Sequence, residues 1–511
     1  MKKLFWILFY GLIFSILIYN SFSYLDPDFG WHLRFGEVIW KTLSVPHDQM
    51  FMWTLSDQTW VDHEWLANLK IYWLWSIGGY VLTTIFFALI PLATIALINY
   101  YLFKSFLKTT RSQIFLAGLE VVALFVMKPH LGIRVQEITL LGVSFLLILL
   151  SHYNLKKTAT PPWWLPLFFY AWACLHGGFL FGLAVLCIWL VIQVALYYFP
   201  QFFPKKLVPL SKPLLLQWLV ISGLSFFATL LTPYGFSLYS FLSEYQDTYY
   251  QTKIKEWLSP YIFPLHYGQI ILNLVVISST MALYLIQRKK DLIFNYCIVG
   301  LLIIMATKSV RHFPLLMVAW LILVMPYLIP EITKRITVSF NKQVKLVTVI
   351  VLSTLNIYIL CSTHWTTKPF TSYCQVYACE AVQFLKQNPQ HAERLLNSYN
   401  MGGYMIGVSP EIPLFIDGRL PQYQYGGHSI LEEYYQFFKT DIVKKKLNEH
   451  DIKSVFYQKP SYIPQPDWFE HYVLGYKPNQ STNSSLLSYL RSSSDWENVY
   501  EDDLSVVYVR K

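Results

Sequence analysis

Asp26-Pro-Asp28-Phe-Gly-Trp31-His32-Leu-Arg34-Phe-Gly36 begins where the first long apolar run of the chain stops. It gathers two carboxylates, an imidazole and a guanidinium at the end of a hydrophobic segment. Charge there is costly beside hydrocarbon unless it faces water, a ligand or an opposite charge. The stretch reads as the mouth of a site in a membrane-embedded protein; the plainer reading is a solvated loop with an Asp-Pro turn. The preceding Met1-Lys2-Lys3 and apolar run have the outline of a signal peptide. However, about 19 apolar residues are enough to cross a bilayer and no small-residue cleavage site follows. An uncleaved first helix is expected.

Working outward, the whole chain has the same character. Its 511 residues are 55% hydrophobic, 18% aromatic and only 14% charged, too apolar for an ordinary soluble protein. The net charge of +10 does not imply nucleic acid, because Lys and Arg sit in short clusters between apolar runs, as membrane topology requires. Segments able to span lie near residues 4–22, 79–103, 112–127, 133–151, 163–176, 178–199, 214–232, 267–287, 291–307, 313–329 and 345–362, about 11 crossings.

With the N-terminus in the cytoplasm, most cationic loops fall inside: Lys104, Lys108 and Arg111; Lys156 and Lys157; Lys205, Lys206 and Lys212; Arg288 to Lys290; Lys334 and Arg335. Lys128, Arg134, Lys308 and Arg311 break the pattern, since they fall in short outside turns. Something anionic is expected to hold them there.

The first outside loop, 23–78, ends on Trp60-Val-Asp62-His63-Glu64-Trp65. His63-Glu64 is half of a zinc-protease HExxH motif, but Ala67 and Asn68 occupy the positions where the second ligand is needed. A zincin is rejected. The stretch from Trp65 to Trp75 is amphipathic and suits the interface. After residue 362 the charged fraction rises and period-two patterns appear at 454–457 and 505–509, so 363–511 reads as a small extracytoplasmic α/β domain. Within it, 378–385 and 432–447 read as helices and 411–416 as a strand. Cys374 and Cys379 form a disulfide or stay as two free thiols. The sequons at Asn479 and Asn483 carry meaning only in a eukaryotic source.

Carboxylates and cations facing the outside of an apolar bundle suit a substrate with a lipid tail and an anionic head. A polyprenyl phosphate has that shape. In sugar transfer from such a carrier, an acid takes the acceptor's proton while cations stabilise the departing phosphate. Asp26 or Asp28 is the candidate base, joined by His63 and Glu64. Lys128, Arg134, Lys308, Arg311 and His312 form the candidate phosphate clamp, with snorkelling to headgroups as the plainer reading of each cation.

These residues also carry a resemblance. The Asp26 stretch with Val45-Pro-His-Asp48 and Trp60-x-x-His63-Glu64-Trp65 resembles the first loop of a family of bacterial GT-C-type membrane proteins, similar to polyprenyl-phosphate-dependent glycosyltransferases. The likeness continues through Gly132-Ile-Arg134-Val-Gln136, His176-Gly-Gly178, Thr232-Pro-Tyr-Gly235, Glu256-Trp257, Arg311-His312, Gly402-Gly-Tyr404, Phe415-Ile-Asp417-Gly-Arg419 and Trp496-x-x-Val-Tyr-x-Asp-Asp503. It implies a mainly α, GT-C-like polytopic bundle over 1–362 and a soluble outer domain over 363–511, in a bacterial inner membrane. Trp31, His32, His176, Tyr404, Asp417 and Arg419, all in matching motifs, are candidates for acceptor contact or lid. Where such sequences often have Trp-Trp-His, this chain has Gly30-Trp31-His32, a change expected to open the site or alter the acceptor.

Some members of the wider GT-C group need a divalent metal at the acidic motif and others do not. Asp26 and Asp28 are the expected seat of Mg²⁺ or Mn²⁺ where one is used. The resulting expectation is a glycosyltransferase that moves a sugar from a polyprenyl-phosphate carrier to a cell-envelope acceptor, be it glycan, lipid or protein. Its rivals are a lipid-linked saccharide transporter and a non-catalytic glycan-binding scaffold.

Overall fold

The structure is a computed structural model, and it describes residues 2–155, 160–244, 248–335, 342–419, 423–460, 464–477 and 484–511. Lys156, Lys157, Asn479 and Asn483 lie outside the described residues. The chain is mainly helical and packs as two units.

The first unit comprises Met1–Ser23, Thr84–Gly235 and Glu256–Trp365. Among the described residues, seven helices are long and apolar enough to cross a membrane: Lys3–Ser21, Trp65–Ser105, Thr110–His130, Gln136–Asn154, Phe179–Tyr198, Lys212–Thr229 and Tyr267–Leu285. An eighth is made if Val310–Leu323 and Met325–Lys334, bent by 60° against each other, act as one span. Pro326 stands at the start of the second piece, where its missing N–H interrupts the helical ladder. Leu165–Leu175, Ile293–Lys308 and Leu346–Ser362 are apolar but shorter. The sequence pattern counts each of these three as a crossing; their lengths fall below what a straight span needs.

Inside the unit, small and polar side chains tie helices together, as happens where lipid removes the hydrophobic drive for association. Ser15 Oγ reaches Asn356 Oδ1 at 3.0 Å, and Asn356 Nδ2 donates to the Leu8 carbonyl at 3.1 Å.

The second unit is assembled from Tyr24–Thr83, Phe236–Lys255 and Thr366–Lys511. Its centre is a four-stranded sheet. Strand β1 is Leu395–Asn397, a short ribbon is formed by β2 (Gln424–Tyr425) and β3 (His428–Ser429), and β4 (Ser454–Gln458), β5 (Trp496–Glu501) and β6 (Ser505–Arg510) follow. The sheet order is β1-β4-β6-β5, with β1 parallel to β4 and the other pairs antiparallel. β4 and β6 occupy the two period-two stretches, and each is a buried central strand.

Two local expectations change. Residues 411–416 form no strand, because Pro413 has no N–H to give to a ladder. Only Leu414 pairs, bridging Met52; the Trp53 N–H donates to the Leu414 carbonyl (2.9 Å) and the Leu414 N–H to that of Phe51 (2.8 Å). The 432–447 helix is two helices, Ile430–Gln436 and Val443–Glu449. Cys374 and Cys379 are joined as a disulfide.

The acidic stretch enters this unit as the Phe29–Thr42 helix, which crosses the Gly402–Val408 helix at bare backbone. A Cβ on Gly30 would stand 2.0 Å from the Gly403 carbonyl oxygen, and one on Gly403 would stand 2.0 Å from that of Pro27. The missing aromatic at Gly30 therefore leaves no opening. A second backbone fills the space.

A buried ionic node holds the two halves of the former 432–447 region. Glu433 accepts from His450 Nε2 (2.6 Å), Lys446 Nζ (2.8 Å) and His428 Nε2 (2.8 Å). Burial pushes its carboxyl up, but these three donors outweigh burial and bring it down to about 2 from an ordinary 4.5. A depressed carboxyl means the fold prefers the ionised form, so the stabilisation is complete above about pH 4.5 and is lost as pH falls toward 2. Thermal unfolding of the purified chain between about pH 5 and 3 should show a loss of about 2 kcal/mol that Glu433→Gln flattens. An unchanged pH slope in that variant would remove Glu433 as its source.

Candidate active site

The candidate residues fall into two clusters, one in each unit. In the second unit, the Asp26-Pro turn is closed by its own side chain: the Asp28 N–H donates to Asp26 Oδ1 at 2.9 Å, and the Phe29 N–H to the Asp26 carbonyl at 3.1 Å. Asp26 is buried, at 7% exposure. Asp28 is half-buried, and its Oδ1 accepts from Trp31 Nε1 at 3.0 Å. Two residues apart, the acids thus have different work. Asp26 starts the helix, and Asp28 presents a carboxylate.

Asp28 also meets the Asp417-Gly418-Arg419 turn. A Cβ on Gly418 would lie 2.3 Å from Asp28 Oδ1, so a larger residue there would push the Asp28 carboxylate aside. The turn is held by Asn397, at the end of β1, whose side chain accepts from the Phe415 N–H (2.8 Å) and donates to the Ile416 carbonyl (2.8 Å). Asp417 and Arg419 form a fork: Arg419 Nε lies 3.0 Å from Asp417 Oδ1, and its terminal nitrogen 2.6 Å from Oδ2. Both side chains are fully buried. The guanidinium lies 4.9 Å from the ring centres of both Phe35 and Trp60. This pair shapes the wall behind Asp28 and has no surface left with which to touch an acceptor.

Tyr399 lies near enough to Asp28 and Asp417 to feel both charges. Burial, with help from those charges, pushes its hydroxyl well above the ordinary tyrosine value. Tyr404 is buried under the acidic turn, stacked on Tyr377 at 4.7 Å; its hydroxyl donates to the Phe370 carbonyl, and that of Tyr377 to the Leu25 carbonyl.

His32 sits on the inner side of the same helix, buried. Its Nδ1 is 2.6 Å from Asn68 Oδ1, and Asn68 Nδ2 donates to both oxygens of Asp62 at 2.9 Å. The amide has spent its NH₂ on Asp62, so it offers His32 an acceptor, and His32 must carry its proton on Nδ1. Its Nε2 faces Glu64 Oε2 at 3.9 Å, and His63 Nε2 lies 3.4 Å from the other Glu64 oxygen. Burial holds the His32 imidazole below its usual range despite Glu64, and pushes the Asp62 carboxyl up to about 6 despite the Asn68 amide. Asn68, next to the alanine that ends the zinc-motif reading, is thus the link between Asp62 and His32. ¹⁵N-histidine spectra should show His32 with Nδ1 protonated and Nε2 bare at neutral pH, and a mixture of tautomers in Asp62→Asn. The Nε2–H form in the wild type would contradict this arrangement.

The second cluster belongs to the first unit. Arg134 and Arg311 share one carboxylate, Glu256: Arg134 is hydrogen-bonded to Oε1 and Arg311 stands 3.8 Å from Oε2. Arg311 also covers the Trp257 ring at 4.9 Å, and Ser309 Oγ donates to the Glu256 carbonyl at 3.1 Å. The anion expected beside these cations is therefore part of the chain. Burial pushes the Glu256 carboxyl up, and the two guanidiniums more than offset it, so it sits below the usual carboxylate range.

His312 packs edge-on to Trp257 at 6.2 Å. Lys128 lies apart over the Tyr19 ring at 5.3 Å, and Lys308 is exposed at the end of its helix. His176 serves its own turn: its Nδ1 accepts from the Gly178 N–H at 3.0 Å and meets Thr139 Oγ1 at 2.6 Å. Of the five clamp candidates, Arg134, Arg311 and His312 gather, and Glu256 is the member that sequence reasoning left out.

Comparison with protein-family models and with curated proteins finds no match to this chain. Function therefore rests on the chemistry of the two clusters. Among the described residues, no group of three or more His, Cys, Asp or Glu side chains is gathered as a ready metal set. Mg²⁺ is often held by one or two carboxylates together with substrate phosphate. Asp28 remains the residue for such an ion, since Asp26 Oδ1 is occupied by the turn.

Proposed function

We propose that this chain is a GT-C-type membrane glycosyltransferase, moving a sugar with inversion from a polyprenyl-phosphate carrier to a glycan, lipid or protein acceptor at the outer face of a bacterial inner membrane. The observation that carries the reading is the division of labour between Asp26 and Asp28: one carboxylate is spent on the turn, and the other is presented half-buried against Trp31 and Gly418. An acid held this way can take the proton from an acceptor hydroxyl as the acceptor oxygen bonds to the anomeric carbon. The bond from that carbon to the carrier phosphate breaks, and the phosphate leaves with its electron pair. A phosphate leaving in this way calls for cations to receive its charge, the chemistry that a guanidinium supplies. The disulfide of the second unit agrees with an oxidising compartment outside the cytoplasm.

The test is transfer of radiolabelled sugar by the chain reconstituted in vesicles charged with a panel of polyprenyl-phosphate sugars, with and without EDTA. Label reaching an acceptor supports the reading, and the EDTA lane decides the metal. Inertness across the panel would turn attention to lipid-linked saccharide transport. One observation favours that second reading: Glu120 lies in the middle of the Thr110–His130 span and is 1% exposed. Transport paths carry ionisable groups at that depth.

A further inference from the structure

Glu120 stands at the meeting of three membrane-spanning helices. Its Oε2 accepts from Asn99 Nδ2 at 3.2 Å, and the same amide nitrogen donates to the Tyr10 hydroxyl at 3.2 Å. Glu120 Oε1 and Asn99 Oδ1 are both buried without a donor among the described residues. Glu120 lines a cavity of about 20 Å³ together with Pro91, Thr94, Ile98 and Leu140. Thr94 Oγ1 donates to the Ile90 carbonyl at 3.0 Å, which leaves its lone pairs free to accept. Acceptors thus outnumber donors in a space otherwise walled by hydrocarbon.

We propose that Glu120 and Thr94, with Asn99 holding the carboxylate from beside the cavity, form a binding site for one monovalent cation, a proton or Na⁺. A bare carboxylate in the middle of a span is too costly to persist, so it must bind a positive charge or be neutralised by a proton. One carboxylate balances one unit charge; a divalent ion would leave an uncompensated charge in the bilayer. The cavity has room for a single water-sized species and none for a hydrated ion. The Thr94 hydroxyl oxygen on the same cavity wall is a hard ligand of the kind that Na⁺ takes, and it is also an acceptor a carboxylic O–H would choose. The site is independent of the acidic stretch and of the sugar-transfer reading.

Infrared difference spectra of the full chain in vesicles, wild type against Glu120→Gln, test this without any sugar substrate. The substitution is isosteric, and other carboxyls cancel in the difference. In choline chloride, from about pH 6 to 8, the difference should contain the C=O stretch of a protonated carboxyl. Replacing choline by Na⁺ distinguishes the occupants: loss of that band to a carboxylate stretch assigns Na⁺, and an unchanged band assigns the proton. A carboxylate stretch throughout the choline series, or no Glu120-dependent carboxyl signal in either salt, would overturn the proposal. If Glu120→Gln fails to fold, Glu120→Asp takes its place: the band should shift with the changed acid, and a band that does not move belongs to another carboxyl and overturns the proposal. A sodium-free sample with no protonated-carboxyl band over that range, and no binding of radioactive Na⁺, sinks it.

Discussion

Asp28→Asn is expected to lower the rate of sugar transfer by about 10²- to 10⁴-fold, the usual worth of a positioned general base, while leaving the half-saturating concentration of donor nearly unchanged. The amide keeps the Oδ1 that accepts from Trp31 Nε1, so the helix start and the wall are retained and only the proton acceptor is lost. Asp26→Asn should behave differently. It keeps an oxygen for the Asp28 N–H, and the residue presents no reachable carboxylate, so a loss within about tenfold is expected. Initial rates of the two variants beside the wild type decide the matter. A dead Asp26→Asn with a nearly normal Asp28→Asn would reverse the assignment of roles.

The second large effect concerns stability. Arg419→Met leaves Asp417 ionised, fully buried and without its fork, a situation that typically costs about 3–5 kcal/mol. Adding Asp417→Leu should restore most of the loss, because an apolar pair of similar volume can replace a buried ion pair at little net cost. The aromatic box of Phe35, Phe51, Trp60 and Tyr423 is ready to receive both side chains. Thermal unfolding of the two variants measures the recovery. If the double variant is as weak as the sum of the singles, the pair is not what Arg419 supplies.

What the sequence made legible follows from range. Hydropathy is a local property, and the apolar helices appear where it placed them; the three short ones escape because length inside a bilayer is decided by packing and tilt. The period-two stretches at β4 and β6 were readable for the same reason. The acidic stretch was readable as chemistry, but the different employment of Asp26 and Asp28 was not, since it depends on a side chain folding back onto a backbone N–H. Asn397 and Tyr399 stood in plain view with no sign that one would pin the Asp417 turn and the other would approach Asp28. Their partners lie elsewhere in the chain, and period or spacing does not report them. The odd cations Arg134 and Arg311 did announce a missing anion. Glu256 was even quoted in a motif, yet the pairing of Arg134 with it crosses 122 residues. Glu120 was passed over because a single carboxyl inside an apolar run leaves the average hydropathy of its window almost untouched.

The second unit is stitched from the beginning, the middle and the end of the chain, and β6, an interior strand of its sheet, ends at Arg510. A ribosome working at about 5–20 residues per second needs roughly 25–100 s to travel from the acidic stretch to that strand. For most of that interval Asp28 exists without Asn397, Gly418 or Arg419. A chain released before residue 397 lacks the segments that wall the carboxylate of its first loop. The surroundings of an early residue are thus a late product of translation.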